Sequence, residues 1–143
     1  MAVSSTGSAH WEGSLEQGGG SARLASSQLA EVPVNWTARS AGAAGMATPE
    51  ELLGAAHAAC YAMALSHAAG QRGLTPSGID ATSEVTFQPG TGITGIVLTV
   101  TAAIPGLTAE EFTQLATEVS TGCPVSAALS AVPITLARAT LQA

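Results

Sequence analysis

The chain has 143 residues, of which 46% are hydrophobic and only 10% charged, with a formal net charge of -6 at pH 7. That length makes one domain with a core of its own, and four scattered arginines (Arg23, Arg39, Arg72 and Arg138) without a single lysine leave no footprint for a nucleic-acid backbone. So little charge on a domain of this size implies surface hidden in an oligomer.

Residues 1–8, mostly small residues of the Ser, Gly and Ala kind, read as a loose tail ahead of a single domain over 9–143. The tail lacks the basic region and apolar core of a signal peptide, so a reducing cytoplasm is the expected compartment. Ala9–Glu16 alternates weakly, Gly18-Gly19-Gly20-Ser21 reads as a turn, and Ala22–Val34 as the hairpin partner. Asn35–Ala47 is a Gly/Ala/Ser-rich loop whose one charge is Arg39.

The longest helix opens with Thr48 as N-cap, Pro49 at the first helical position, and Glu50 and Glu51 in the positive end of the dipole. Gly70 and Gly73 are candidates for its stop, which gives about 22 residues, or roughly 33 Å. Its alanines leave almost no polar face, so the helix is expected to be enclosed on all sides. His57, Ser66 and His67 mark it as a helix of a soluble protein rather than a membrane span. Ala81–Phe87 and Ile93–Ala103 then alternate as strands about the turn Gln88–Gly92. Thr108-Ala109-Glu110-Glu111 is a capping box for a helix to about Thr121, Cys123-Pro124 opens a shorter helix ending near Ala131, and Pro133–Leu141 alternates as a last strand. The order β-β-α-β-β-α-α-β with antiparallel hairpins is an α+β fold.

The two thiols carry the chemistry. Cys60 sits mid-helix, and at 100° per residue His57, Met63, Ala64 and His67 fall within about 60° of it, a polar and polarizable stripe on an alanine helix. Cys123 falls at or beside an N-cap, where free amides and the dipole stabilise a thiolate. A low-pKa thiol both attacks and leaves well, so local sequence does not say which cysteine strikes first. His57 and His67 lack the spacing and further ligands of a zinc site and read as core or interface histidines, with no metal or cofactor expected. Arg39 and Glu50 are the charges best suited to assist a thiol. Ten residues of helix separate Glu50 from Cys60, about 15 Å of rise, so the two cannot meet on one straight helix. An antiparallel copy of the helix from a second subunit would bring them together.

Pro49-Glu50-Glu51-Leu52-Leu53-Gly54-Ala55-Ala56-His57-Ala58-Ala59-Cys60 and Gly122-Cys123-Pro124-Val125-Ser126 resemble the two signature segments of the OsmC/Ohr family, the osmotically inducible and organic-hydroperoxide-resistance proteins. Ala9-His10-Trp11-Glu12-Gly13 and the length between the motifs match the OsmC branch better. The resemblance implies an intertwined homodimer with long central helices enclosed by antiparallel sheets. It also implies a thiol-dependent peroxidase that takes a small organic hydroperoxide and an external thiol or dithiol reductant, without nucleic acid or membrane as partner. By the same resemblance Cys60 attacks the peroxide, Cys123 resolves the sulfenate as a disulfide, and Arg39 and Glu50 are the active-site arginine and glutamate. A non-catalytic redox sensor or stress-binding module is the alternative from another class, and a Cys-dependent hydrolase a third.

Overall fold

A computed structural model describes residues 1–143. The chain divides into two compact units, Met1–Leu52 and Leu53–Ala143.

In the first unit, β1 (Gly7–Glu12), β2 (Gly19–Leu24) and β3 (Glu31–Val34) form an antiparallel meander in the order β1-β2-β3. The turn expected at Gly18–Ser21 lies earlier in the chain. Gly13 takes the left-handed φ of 86°, and Ser14 holds the Gln17 and Gly18 amides through its Oγ (3.2 Å) and carbonyl (2.8 Å). Gly19, Gly20 and Ser21 are strand instead, and Gly20 is small because a Cβ there would run into the His10 carbonyl of β1. The single run expected over Ala22–Val34 is divided by a turn in which Leu24 accepts from the Gln28 amide at 2.8 Å.

The expected loop after β3 contains a helix, α1 (Trp36–Ala41). Asn35 caps it, its Oδ1 accepting from the Ala38 N–H at 2.7 Å, and Gly42 stops it with a φ of 80°. Helix α2 (Pro49–Gln71, 23 residues) then begins as expected, with the Glu51 N–H donating to Thr48 Oγ1 at 3.0 Å.

The second unit packs helices on a mixed sheet. Strands β4 (Gly78–Gln88) and β5 (Gly92–Ala103) pair as an antiparallel hairpin, as their alternation indicated. The last strand, β6 (Ile134–Leu141), lies parallel to β5, an exception to the expected antiparallel pairing. Helices α3 (Ala109–Gly122) and α4 (Pro124–Ala128) make the crossover that a parallel connection requires. α3 opens with the complete Thr108–Glu111 capping box. The core joins Tyr61, Leu65 and Ala69 of α2 to alternate residues Leu98, Val100 and Ala102 of β5 and to Phe112, Leu115 and Ala116 of α3.

α2 is not enclosed on all sides within one chain. Ala55, Ala56, Ala59, Met63, Ser66 and His67 are exposed, Met63 at 73%. Successive residues of this set are one, three or four apart, the spacing of one helix face. A single chain thus buries one side of the helix and leaves a small-residue side open.

Candidate active site

Both thiols are free and belong to the second unit. Cys60 is half-buried on α2 and lines an open cleft of about 720 Å³ with Met63, Ala64, His67, Val119 and Pro124. Apart from His67 and Glu118 the lining is apolar or glycine, so the cleft suits a largely hydrocarbon molecule better than a charged one.

Cys123 is 1% exposed and held from three directions. Its N–H ends α3 by donating to the Val119 carbonyl at 3.2 Å, its carbonyl accepts from the Ala127 N–H at 3.0 Å, and its Sγ caps α4 by accepting from the Ser126 N–H at 3.3 Å. The expected N-cap position and the first-position proline are both present.

The fold brings the two sulfurs together. Burial pushes the Cys60 thiol up from its ordinary value; the Val125 backbone N–H, hydrogen-bonded to it, acts in the opposite direction, and the neighbouring Cys123 thiol adds to the rise. Ionising Cys60 thus calls for positive charge beyond that single amide.

In the first unit Arg39, on α1, forks onto Glu50 in the first turn of α2. Arg39 Nη2 donates to Oε1 at 2.8 Å, and Nε to Oε1 and Oε2 at 3.1 and 3.3 Å. Glu50 is 6% exposed, so its charge is compensated by this pair. Arg39 is therefore held by a partner on a capped helix rather than solvated in a loop.

A third group was not legible as a group in the sequence. His57, fully buried, places Nδ1 3.0 Å from Ser83 Oγ on β4 and Nε2 2.7 Å from Ser126 Oγ on α4. Ser126 Oγ lies in turn 3.1 Å from Cys123 Sγ. Burial lowers the His57 pKa from its ordinary value, favouring the neutral ring. His57 is thus a satisfied core histidine, as expected, but the residues that satisfy it lead to a thiol. The one signal for this was Ser126 three residues after Cys123, the spacing of a side chain on its own cap. Both ring nitrogens of His57 are engaged, and no three His, Cys, Asp or Glu side chains gather into a cluster that could hold a metal ion.

Residues 42–137 match the family model described as OsmC-like protein. The chain belongs to the OsmC family. The matched span includes Glu50, His57, Cys60, Cys123 and Ser126 and starts after Arg39. Among curated relatives, the OsmC peroxiredoxins of Escherichia coli (strain K12) and Shigella flexneri are each 41% identical over 134 residues, 92% of this chain and 93% of theirs. The OsmC fold is also seen in solved structures. An organic hydroperoxide resistance protein OsmC from Legionella pneumophila aligns with a TM-score of 0.71 at 23% identity, covering 98% of each chain. The organic hydroperoxide resistance protein OhrB of Bacillus subtilis aligns with a TM-score of 0.61 at 22% identity, covering 96% of this chain and 98% of its own. No helix in this OsmC-family chain is long and apolar enough to cross a membrane.

Proposed function

We propose that the chain is a thiol-dependent peroxidase that reduces organic hydroperoxides to alcohols. The observation that carries this reading is Cys60 in the wall of an apolar cleft, with the buried thiol of Cys123 beside it. The relatives named peroxiredoxin support the same reaction class.

The Cys60 thiolate attacks the terminal oxygen of ROOH. An S–O bond forms, the O–O bond breaks, and the alkoxide leaves and takes a proton as the alcohol, with Cys60 oxidised to a sulfenic acid. Cys123 attacks that sulfur, an S–S bond forms, and the hydroxyl departs as water. An external thiol or dithiol returns both cysteines to thiols by exchange. Arg39 supplies the positive charge for the thiolate and the leaving alkoxide, and Glu50 fixes the guanidinium.

Since about 15 Å of helix rise separates Glu50 from Cys60, the pair serves Cys60 of a second copy. The exposed Ala55, Ala59 and Met63 side of α2 is the surface along which two copies would pack in the homodimer.

Steady-state turnover of cumene hydroperoxide with a dithiol tests the reading. Cys60→Ser should abolish turnover, and Cys123→Ser should slow it and let Cys60 overoxidise. Full activity in Cys60→Ser would overturn the assignment, and a single stoichiometric oxidation without turnover would identify a redox sensor. Light scattering should find a dimer that Met63→Asp weakens.

A further inference from the structure

Within the second unit a continuous line of short contacts runs from β4 to the deeper thiol: Ser83 Oγ to His57 Nδ1 at 3.0 Å, His57 Nε2 to Ser126 Oγ at 2.7 Å, and Ser126 Oγ to Cys123 Sγ at 3.1 Å. His57, Ser126 and Cys123 are each no more than 2% exposed, so bulk water does not compete for these contacts. A thiol so buried is poorly served by solvent bases at neutral pH, yet it must lose its proton to form a disulfide.

We propose that Ser126 and His57 form a proton-accepting relay for Cys123, which takes the thiol proton as Cys123 attacks oxidised Cys60. The inference rests on Cys123 being the resolving thiol of the peroxidase reading. Neither residue touches the peroxide; both act through Cys123, as positioning residues.

The donor and acceptor inventory permits one arrangement that works. In the resting state the Cys123 S–H donates to Ser126 Oγ, the Ser126 O–H donates to His57 Nε2, and the His57 Nδ1–H donates to Ser83 Oγ. Moving one proton from Cys123 to Ser126 and one from Ser126 to His57 Nε2 leaves a Cys123 thiolate, a Ser126 hydroxyl turned towards it, and an imidazolium that still donates to Ser83. The thiolate then accepts from both the Ser126 O–H and the Ser126 backbone N–H, the latter at 3.3 Å. It attacks the Cys60 sulfur; the S–S bond forms and the S–O bond breaks. The departing hydroxide takes a proton from solvent through the open cleft and leaves as water, and the imidazolium later returns one proton to solvent. The sum is one sulfenic acid and one thiol giving one disulfide and one water.

A neutral imidazole is the form that accepts, and burial keeps His57 in that form below its ordinary titration range. The other titratable groups against the relay are Cys60 and Tyr61 of α2; Tyr61, pushed up to about 12, stays neutral. Glu118 of α3 and His67 of α2 share the cleft with Cys60. Asp80 and Glu84 of β4 alternate onto its exposed face, opposite to Ser83.

The resolving step can be read in the full-length protein by rapid mixing with cumene hydroperoxide and quenching into a sulfenate trap, with the trapped sulfenate and the disulfide counted by mass spectrometry. In the unmodified protein the disulfide should form at a rate that is flat from pH 8 to below 6.5 and falls only when His57 gains a proton. His57→Gln should slow it at least tenfold at pH 7, and the loss should shrink as pH rises and hydroxide takes over the proton. A loss equal at every pH, or no loss, overturns the relay. Absence of any sulfenate on Cys60 would instead overturn the peroxidase reading. Should His57→Gln fail to fold, 15N NMR of the reduced wild-type imidazoles decides the matter. The relay requires the Nδ1–H tautomer at His57, and an Nε2–H tautomer, which could not accept from Ser126, overturns it.

Discussion

Gly54 of α2 lies so close to β4 that a Cβ on it would stand 2.5 Å from the Ser83 carbonyl oxygen. This contact lets the helix approach the strand closely enough for His57, one turn further on, to meet the Ser83 hydroxyl at 3.0 Å. Alanine at this position would gain up to about 1 kcal/mol in helix propensity. The forced separation from a backbone atom costs about 1–3 kcal/mol, and so outweighs it. Gly54→Ala should lower the denaturation midpoint in urea. A neutral or stabilised variant would show that α2 and β4 are not in this contact.

The Arg39–Glu50 fork should be intolerant of like-charged replacement. Arg39→Lys retains the charge but not the two-nitrogen grip on both carboxylate oxygens. We expect at least a tenfold loss of kcat/KM for an organic hydroperoxide, with a fall in stability of about 1–2 kcal/mol. Glu50→Gln should lose activity comparably, because the guanidinium loses its charged anchor. Turnover equal to that of the parent in both variants would remove the pair from the mechanism.

Stability should depend on pH through His57. Its folded pKa is depressed by burial, so the unfolded chain takes up a proton near the ordinary value of 6.5 while the native state does not. The stability His57 contributes is thus present above pH 6.5 and lost as pH falls from there through the lower folded pKa. Hydrogen bonds from the backbone and hydroxyl of Thr108 lower Glu111, whose contribution is lost only further down, below its ordinary 4.5. Urea midpoints measured from pH 8 to pH 5 should decline in the parent and lose most of that slope in His57→Gln. An unchanged slope would place the proton uptake elsewhere.

Tyr61 is the one tyrosine in the chain and is fully buried, its hydroxyl donating to the Ala116 carbonyl of α3 at 2.8 Å. Burial first, and the nearby Cys123 second, push its pKa up to about 12. The neutral form is favoured by folding, so this contribution is whole below pH 10 and lost as pH rises towards 12. Absorbance at 295 nm should show no tyrosinate until about pH 12 or until unfolding intervenes, whichever comes first. Titration near 10 in the folded protein would contradict the burial. Tyr61→Phe removes this buried hydrogen bond while the Ala116 carbonyl keeps its place in the α3 ladder, and should cost about 0.5–1.5 kcal/mol.

Much of this molecule was legible because its punctuation is local. The Thr48 and Thr108 caps, the first-position prolines and the alternation of β4 and β5 each depend on residues within a few positions of one another, and each element formed close to where those residues placed it, although α4 ends at Ala128 rather than near Ala131 and β4 begins at Gly78 rather than Ala81. The Cys60 and Cys123 motifs were equally plain, since a thiol mid-helix and a thiol at a helix cap differ in their immediate neighbours. α1 was missed because Gly, Ala and Ser dominate Asn35–Ala47 and hide a six-residue helix that one asparagine cap and the Arg39–Glu50 fork help to hold.

Tertiary structure decided what depends on separation along the chain. The parallel pairing of β6 with β5 follows from the crossover through α3 and α4, which no alternation pattern within Pro133–Leu141 can encode. The same holds for Ser83, His57 and Ser126, which stand 26 and 69 residues apart along the contacts that join them. A buried hydrogen bond requires two groups to arrive at one point, and sequence specifies the groups but not the point. By itself the sequence determined which atoms can do thiol chemistry; only the packing of α2 against β4 and α4 decided that a neutral histidine would stand one hydroxyl away from the buried thiol.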